Sequence, residues 1–364
     1  MADNGRVSKY LHLDQHKIPH EITLTDSCVK WLMRIAEVKP FLDEHLGTPL
    51  EVQLLRRAKV RAITYSNQIE GNTLGEGDVT AVLNGKKIKG SPKDVKEVQN
   101  YHLALEYAEK LASDKRSLRI ADFCDLQKLV TSDLLPKDQC GQIRTIPVSI
   151  INAATGDKID DCPQPHALRD LLDDLWRWVS DTDGMNPYAR AFAFHFIAVA
   201  IHPFVDGNGR TVRLMQHLLL LRQEAKIARF VPSETAIMRN RDRYYSSIRQ
   251  SKALSSLHPI LEFLAECFAT AAEEVAKEGR TLLRSGADKK PDIRHKRIIN
   301  LGKQSETFSI QQVIQMMPDV PRRTLERDLE TLTKMKALMA IGDKKARKYG
   351  LPNASPLSRK RNKK

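Results

Sequence analysis

The chain has 364 residues, 41% hydrophobic and 29% charged, with a formal net charge of +14. That length predicts two or three domains with ample core, and that balance is the composition of a soluble globular protein. No apolar run reaches the roughly 18 residues of a membrane span, and the opening Met1-Ala2-Asp3-Asn4-Gly5 lacks the apolar stretch of a secretory signal. Five scattered cysteines without a CxxC pair argue against zinc and disulfides. The expectation is a cytoplasmic protein with reduced thiols and no membrane contact, Cys162 lying exposed in a polar segment. Much of the positive charge gathers in the last forty-odd residues, where it favours a polyanionic partner.

In chain order, residues 1–25, with Pro19, read as an irregular lead-in. A helix is predicted over 26–46, capped by Asp26 or Ser27, with Val29, Leu32, Ile35 and Ala36 at helical spacing. Gly47-Thr48-Pro49 punctuates. A second helix over about 50–69 turns Leu54, Leu55, Ala58, Ala62 and Ile63 inward and ends in Ser66-Asn67-Gln68-Ile69-Glu70-Gly71-Asn72. Ser66 and Glu70 share a face there, and Gly71 suits the position just past a helix end. Helical patterns continue through 76–115 and 118–135, the last stopped by Pro136. The β-branched run from Gly141 to Asn152 contains Pro147, so it predicts an edge strand; with a turn at 153–158 and a return to Pro165 it makes a small exposed hairpin.

A helix over 166–180 and an apolar helix over 189–201 lead to His202-Pro203-Phe204-Val205-Asp206-Gly207-Asn208-Gly209-Arg210-Thr211-Val212-Arg213, with more apolar helix after it. A helix starting near Asn208 or Gly209 would aim its free N–H groups into the loop, an anion cradle at the positive end of a helix dipole. Arg210 and Arg213 share a face of its first turn and present guanidinium forks for phosphate. Asp206 is a hard carboxylate suited to Mg2+ shared with phosphates, and His202 is placed to take a proton from a hydroxyl. Anion hole, two cations, a metal ligand and a base are the parts of a phosphoryl- or nucleotidyl-transfer site. His195, one of several residues on the apolar helix before the loop, reads as structural.

This run resembles, position by position, the HxFx(D/E)GNGRxxR motif of Fic-domain proteins. The resemblance implies a mainly α Fic core with a small β-hairpin flap. By position it makes His202 the base, Asp206 the Mg2+ ligand, and Gly207, Asn208, Gly209, Arg210 and Arg213 the phosphate-binding set. An intact motif implies transfer of AMP from ATP to a Ser, Thr or Tyr hydroxyl of a target protein. Ser66, Glu70, Gly71 and Asn72 resemble the (S/T)xxxE(G/N) inhibitory motif of one subclass, which implies that Glu70 pairs with Arg213; in some relatives the same Glu serves removal of AMP. The resemblance assigns adenine contacts to Asn240 with Tyr244 or Tyr245, and a target-docking flap to 150–159, including Ile150, Ile151, Asn152 and Ile159.

Residues 285–292 have linker composition, after which helix, helix, turn, helix and hairpin over 293–350 resemble a winged helix-turn-helix, followed by a basic tail. Its third helix offers Arg322, Arg323 and Arg327 to DNA; the alternatives are dimerisation, so a homodimer is admitted, and docking of a protein. The expected domains are therefore 1–115, 116–284 and 293–364, joined by the linker. A second function class is a DNA-binding regulator whose core senses nucleotide, and a third reading keeps the core but transfers another group.

Overall fold

Threonine caps set the first two helices. Thr25 Oγ1 accepts from Cys28 N to open α1 (Asp26–Glu44), and Thr48 Oγ1 accepts from Glu51 N to open α2 (Pro49–Ile69), where Pro49 takes the first position that needs no N–H donor. The computed structural model describes residues 22–151, 158–284, 293–342 and 347–352. The lead-in 1–21, Asn152 with most of the flap turn, the linker and the basic tail lie outside them.

Then follow α3 (Glu76–Leu83), α4 (Pro92–Ser113) and α5 (Ile120–Thr131), and the antiparallel pair β1 (Ser149–Ile151) and β2 (Lys158–Asp161). Next come α6 (Leu168–Asp181), α7 (Pro187–Ile201), α8 (Asn208–Ala228), α9 (Glu234–Arg239), α10 (Arg241–Ala253) and α11 (His258–Arg284). Helix α7 is buried almost all round, from Tyr188 to Ile201, which is why its sequence shows a continuous apolar run rather than a stripe. One continuous core reaches from Cys28 to Ala276, so the N-terminal helices and the helices around the motif form a single packed body.

The C-terminal unit runs α12 (Ile293–Gln304), β3 (Phe308–Ser309), α13 (Ile310–Met316), α14 (Arg322–Lys334), β4 (Met339–Ile341) and β5 (Lys348–Gly350). Its antiparallel sheet has the order β3-β5-β4, and it has its own core of Ile298, Ile299, Phe308, Val313, Leu325, Leu329 and Leu332. No helix among the described residues is long and apolar enough to cross a membrane.

Several expectations change. The cap of α1 is Thr25, and Val29 is 41% exposed while Cys28, Ile35, Val38 and Leu42 face inward. Cys162 is buried, its backbone N–H donating to Val148 O at 3.3 Å. The expected strand from Gly141 shortens to three residues. The cause is Arg144, 3% exposed, whose guanidinium donates to His202 O at 2.8 Å, Ile146 O at 3.0 Å and Pro163 O at 2.6 Å. These bonds tie the segment over the motif loop and leave no ladder for it to join.

Candidate active site

Helix α7 ends at His202, which adopts a left-handed conformation (φ 50°), rare for a residue with a Cβ. Arg144 holds that bend: besides its side-chain bond to His202 O, its N–H donates to Pro203 O at 2.9 Å. Phe204 is buried against Phe123, ring centroids 5.1 Å apart, and anchors the loop. Asn208 closes it, accepting from Phe204 N at 3.0 Å and donating to Phe204 O at 2.8 Å. Its amide is thereby committed to the loop backbone. Gly207 has φ +81°, and a Cβ there would meet Thr131 Cγ2 at 2.9 Å, so only glycine fits.

Helix α8 starts at Asn208, so the N–H groups that have no intrahelical partner lie beside the loop as an anion cradle. Asp206 stands at its edge with a side chain 61% exposed, its Oδ1 accepting from Gly207 N at 2.6 Å. Burial pushes the His202 imidazole down to about 4, against opposing effects of the Val199 backbone and Glu70, so at neutral pH the ring is uncharged and able to accept a proton.

An anion already sits on the cradle. The Glu70 carboxylate reaches over Gly209 so closely that a Cβ on Gly209 would collide with Oε1. Arg213, 1% exposed, donates to Glu70 Oε1 at 2.8 Å, to Ser66 Oγ at 2.9 Å and to Ser66 O at 2.9 Å. Desolvation alone would raise the Glu70 carboxyl; the guanidinium groups of Arg213 and Arg210 outweigh it and hold the group below the usual carboxylate range. Gly71, left-handed at φ +96°, ends the helix just past Glu70. The sequence thus brings Ser66, Glu70, Gly209 and Arg213 together although 143 residues separate Glu70 from Arg213.

Arg210 is held differently. Its Nη1 lies 3.1 Å from Glu97 Oε1, both side chains buried, without hydrogen-bond geometry; Nη1 and Nε have no acceptor among the described residues. Glu97 neutralises the buried cation, and Asp206 Oδ1 lies 3.8 Å from its Nη2. Asn72 donates to Glu97 Oε2 at 2.8 Å, which links the stretch just past α2 to Arg210.

Of the two candidate tyrosines, Tyr244 is 2% exposed and cannot stack on a base. Its hydroxyl lies 2.7 Å from His195 Nε2, and His195 Nδ1 lies 2.6 Å from Gln216 Oε1, a buried network beneath Arg213. Tyr245 is half-buried, with the Arg241 guanidinium 5.5 Å from its ring. Asn240 is exposed and donates to Ala236 O at 2.9 Å, closing α9. The flap pairs Ile150 with Asp160 and Ile151 with Lys158, with a bulge between the two; Ile159 lies on β2, and Asn152 is outside the described residues.

Sequence reasoning missed Arg144, Gln127 and Glu97. Gln127 Nε2 donates to Asp206 O at 3.0 Å and its Oε1 accepts from Gly141 N, so α5 supports the loop from below. The signal for Glu97 was present: Asp94, Glu97, Val98 and Tyr101 are spaced to share one helix face, and all four are buried.

A phosphate-sized cradle at a helix N-terminus, beside a neutral imidazole and two buried guanidinium groups, is the arrangement of a nucleotide-phosphate site. Residues 117–220 match the Fic/DOC family, and this part of the chain is a Fic domain. The chain is similar to the protein adenylyltransferase fic-1 of Caenorhabditis briggsae, 30% identical over 220 residues that are 59% of this chain and 40% of that one. It is also similar to the protein adenylyltransferase Fic of Nematostella vectensis, 30% identical over 218 residues, 58% of this chain and 48% of that one. It therefore spans less than half the length of these curated relatives. A solved Fic family protein from Desulfovibrio desulfuricans shares the fold with a TM-score of 0.63 over 92% of this chain and 98% of that one, at 24% identity.

The protonation state of His202 gives a pH test. With its pKa depressed to about 4, the base form is full above that value and is lost only as pH falls through it. In a titration followed by NMR, the His202 ring is expected to stay neutral between about pH 6 and 8 and to take its proton only near pH 4. A midpoint near 6.5, the ordinary imidazole value, would contradict it.

Proposed function

We propose that the chain is a protein adenylyltransferase held inactive by Glu70. The observation that carries this reading is the carboxylate on the α8 N-terminus, paired with Arg213: a side chain of the protein stands where an anionic phosphate would bind. In the open site the triphosphate of ATP lies on the N–H groups at Asn208 and Gly209, over the tight turn at Gly207, its charge matched by Arg210 and Arg213. His202 takes the proton from a Ser, Thr or Tyr hydroxyl of the target. That oxygen forms a bond to the α-phosphorus, the bond from the α-phosphorus to the bridging oxygen breaks, and pyrophosphate leaves. The half-buried Tyr245, with Asn240 nearby, is the adenine contact, and the free edge of the β1–β2 pair takes the target backbone by strand addition.

Asp206 fits a Mg2+ ion shared with phosphates, because it is one exposed carboxylate beside the cradle and needs the phosphate oxygens to complete a shell. Such an ion would neutralise charge on the departing pyrophosphate. Among the described residues no group of three or more His, Cys, Asp or Glu is placed to hold a metal ion.

The reading is tested by intact mass and by self-labelling with ATP carrying its label on the α-phosphate. Glu70→Gly is expected to raise labelling by at least about tenfold with the added mass of AMP, and His202→Ala in that background to abolish it. Label in neither protein, or a different added group, overturns the reading.

Charge favours a second role, a winged-helix unit that binds nucleic acid. Residues 293–364 hold 18 Lys and Arg against 6 Asp and Glu, so they carry most of the net +14. Arg323 and Arg327 are exposed on α14, while Arg322 is paired with Glu326 at 2.9 Å. In a mobility-shift series, duplex DNA is expected to bind with affinity falling steeply as salt rises, and Arg323→Ala to weaken it. Absence of a shift at low salt removes this role.

A further inference from the structure

The helix that carries Ser66 and Glu70 also carries, at its other end, the seat of the C-terminal unit. Val52, in the first turns of α2, is 4% exposed and belongs to the C-terminal core with Ile298, Ile299 and Phe308. Beside it Glu51 is 1% exposed, and its Oε2 accepts from Gly47 N at 2.6 Å and pairs with Lys303 Nζ of α12 at 2.6 Å. A Cβ on Gly47 would touch Asn300 and Lys296, so α12 lies directly against the bend that starts α2.

We propose that the C-terminal unit is a clasp on α2, whose hold on the first turn keeps Ser66 and Glu70 fastened to Arg213. Helix α2 has 21 residues without an internal proline or glycine and spans about 30 Å as a stiff rod. To free Arg213, its last turn must shift, rotate or fray. A shift or rotation of the rod drags Glu51 and Val52 within the C-terminal unit, so the seat opposes it. Elsewhere α2 is fixed to the body by Leu50, Leu54, Ile63 and Ile69 in the main core and by Glu278 of α11, which binds both Arg57 and Arg61; none of these contacts involves the C-terminal unit.

The seat is also small enough to open. It consists of one inserted valine and one ion pair, and an open cavity of about 440 Å3 runs alongside it, bordered by Leu55 and Lys59 of α2, Gly302 and Lys303 of α12, and Leu351. A partner that binds the C-terminal unit at the expense of this seat loosens Glu70. By linkage, a triphosphate that displaces Glu70 loosens the seat by the same factor.

This regulation rests on the adenylyl-transfer reading for its activity readout, so the test has a second one. Lys303→Glu in the full chain sets two carboxylates against each other at the seat, and Lys303→Arg restores the pair. Without nucleotide, Lys303→Glu is expected to speed hydrogen exchange of the amides at 67–70 about fivefold or more. It also raises self-labelling by a similar factor while Glu70 is present, and leaves it unchanged in the Glu70→Gly background; Lys303→Arg behaves as the parent. Parent-like exchange, or an equal rise of labelling in both backgrounds, overturns the clasp. Failure of Glu70→Gly itself to label removes the transferase reading alone, and the exchange result still decides the clasp.

Discussion

The buried guanidinium of Arg213 is the constraint on which the rest depends. A cation at 1% exposure needs partners for both charge and N–H donors, because an uncompensated buried charge costs several kcal/mol. Ser66 supplies a hydroxyl and a carbonyl, both neutral, so the charge itself is met only by an anion. Glu70 is that anion, and its remaining exposure of 30% leaves it a route out. A phosphate group satisfies the same cation with more oxygens. On the proposed reading, inhibition and catalysis compete for this one counter-charge.

The competition is sharp because the surroundings do not yield. Asn208 locks the loop to Phe204, Gly207 admits no side chain against Thr131, and Arg144 fastens the left-handed turn at His202 to the segment leading into the flap. His202, the cradle and the start of the flap are therefore parts of one tied assembly. Arg210, neutralised by Glu97 with donors left over, belongs to it as well. In the proposed clasp, the part that moves is the contribution of α2.

The motif loop between two buried helices was legible in the sequence because its chemistry is local: glycines for a tight turn, arginines three apart on a helix start, a histidine at the bend. The partnership of Glu70 and Arg213 was not visible in spacing, since 143 residues separate them; it came only from resemblance to an inhibitory motif. Arg144 was hidden for a similar reason. It lies in a β-branched run that reads as an edge strand, whereas its guanidinium donates to three backbone carbonyls and cancels the strand. Tyr244 and Tyr245 are adjacent in sequence, and only packing separates the one beneath Arg213 from the one facing outward. The seat of the C-terminal unit on Val52 joins two stretches that read as separate domains, and periodicity carries no information about such a contact.

On the proposed reading, Arg213 would meet the terminal phosphate of ATP, and Glu70 takes that phosphate's place. Calorimetric titration with ATP and ADP, in a His202→Ala parent and in the same chain carrying Glu70→Gly, addresses this without turnover. The account predicts that the parent binds the two nucleotides within about twofold of each other, while the variant prefers ATP by about tenfold or more, as a charge-assisted bidentate contact is worth. The same preference for ATP in both proteins would show that the terminal phosphate and the Glu70 carboxylate do not share a site, and would contradict the account.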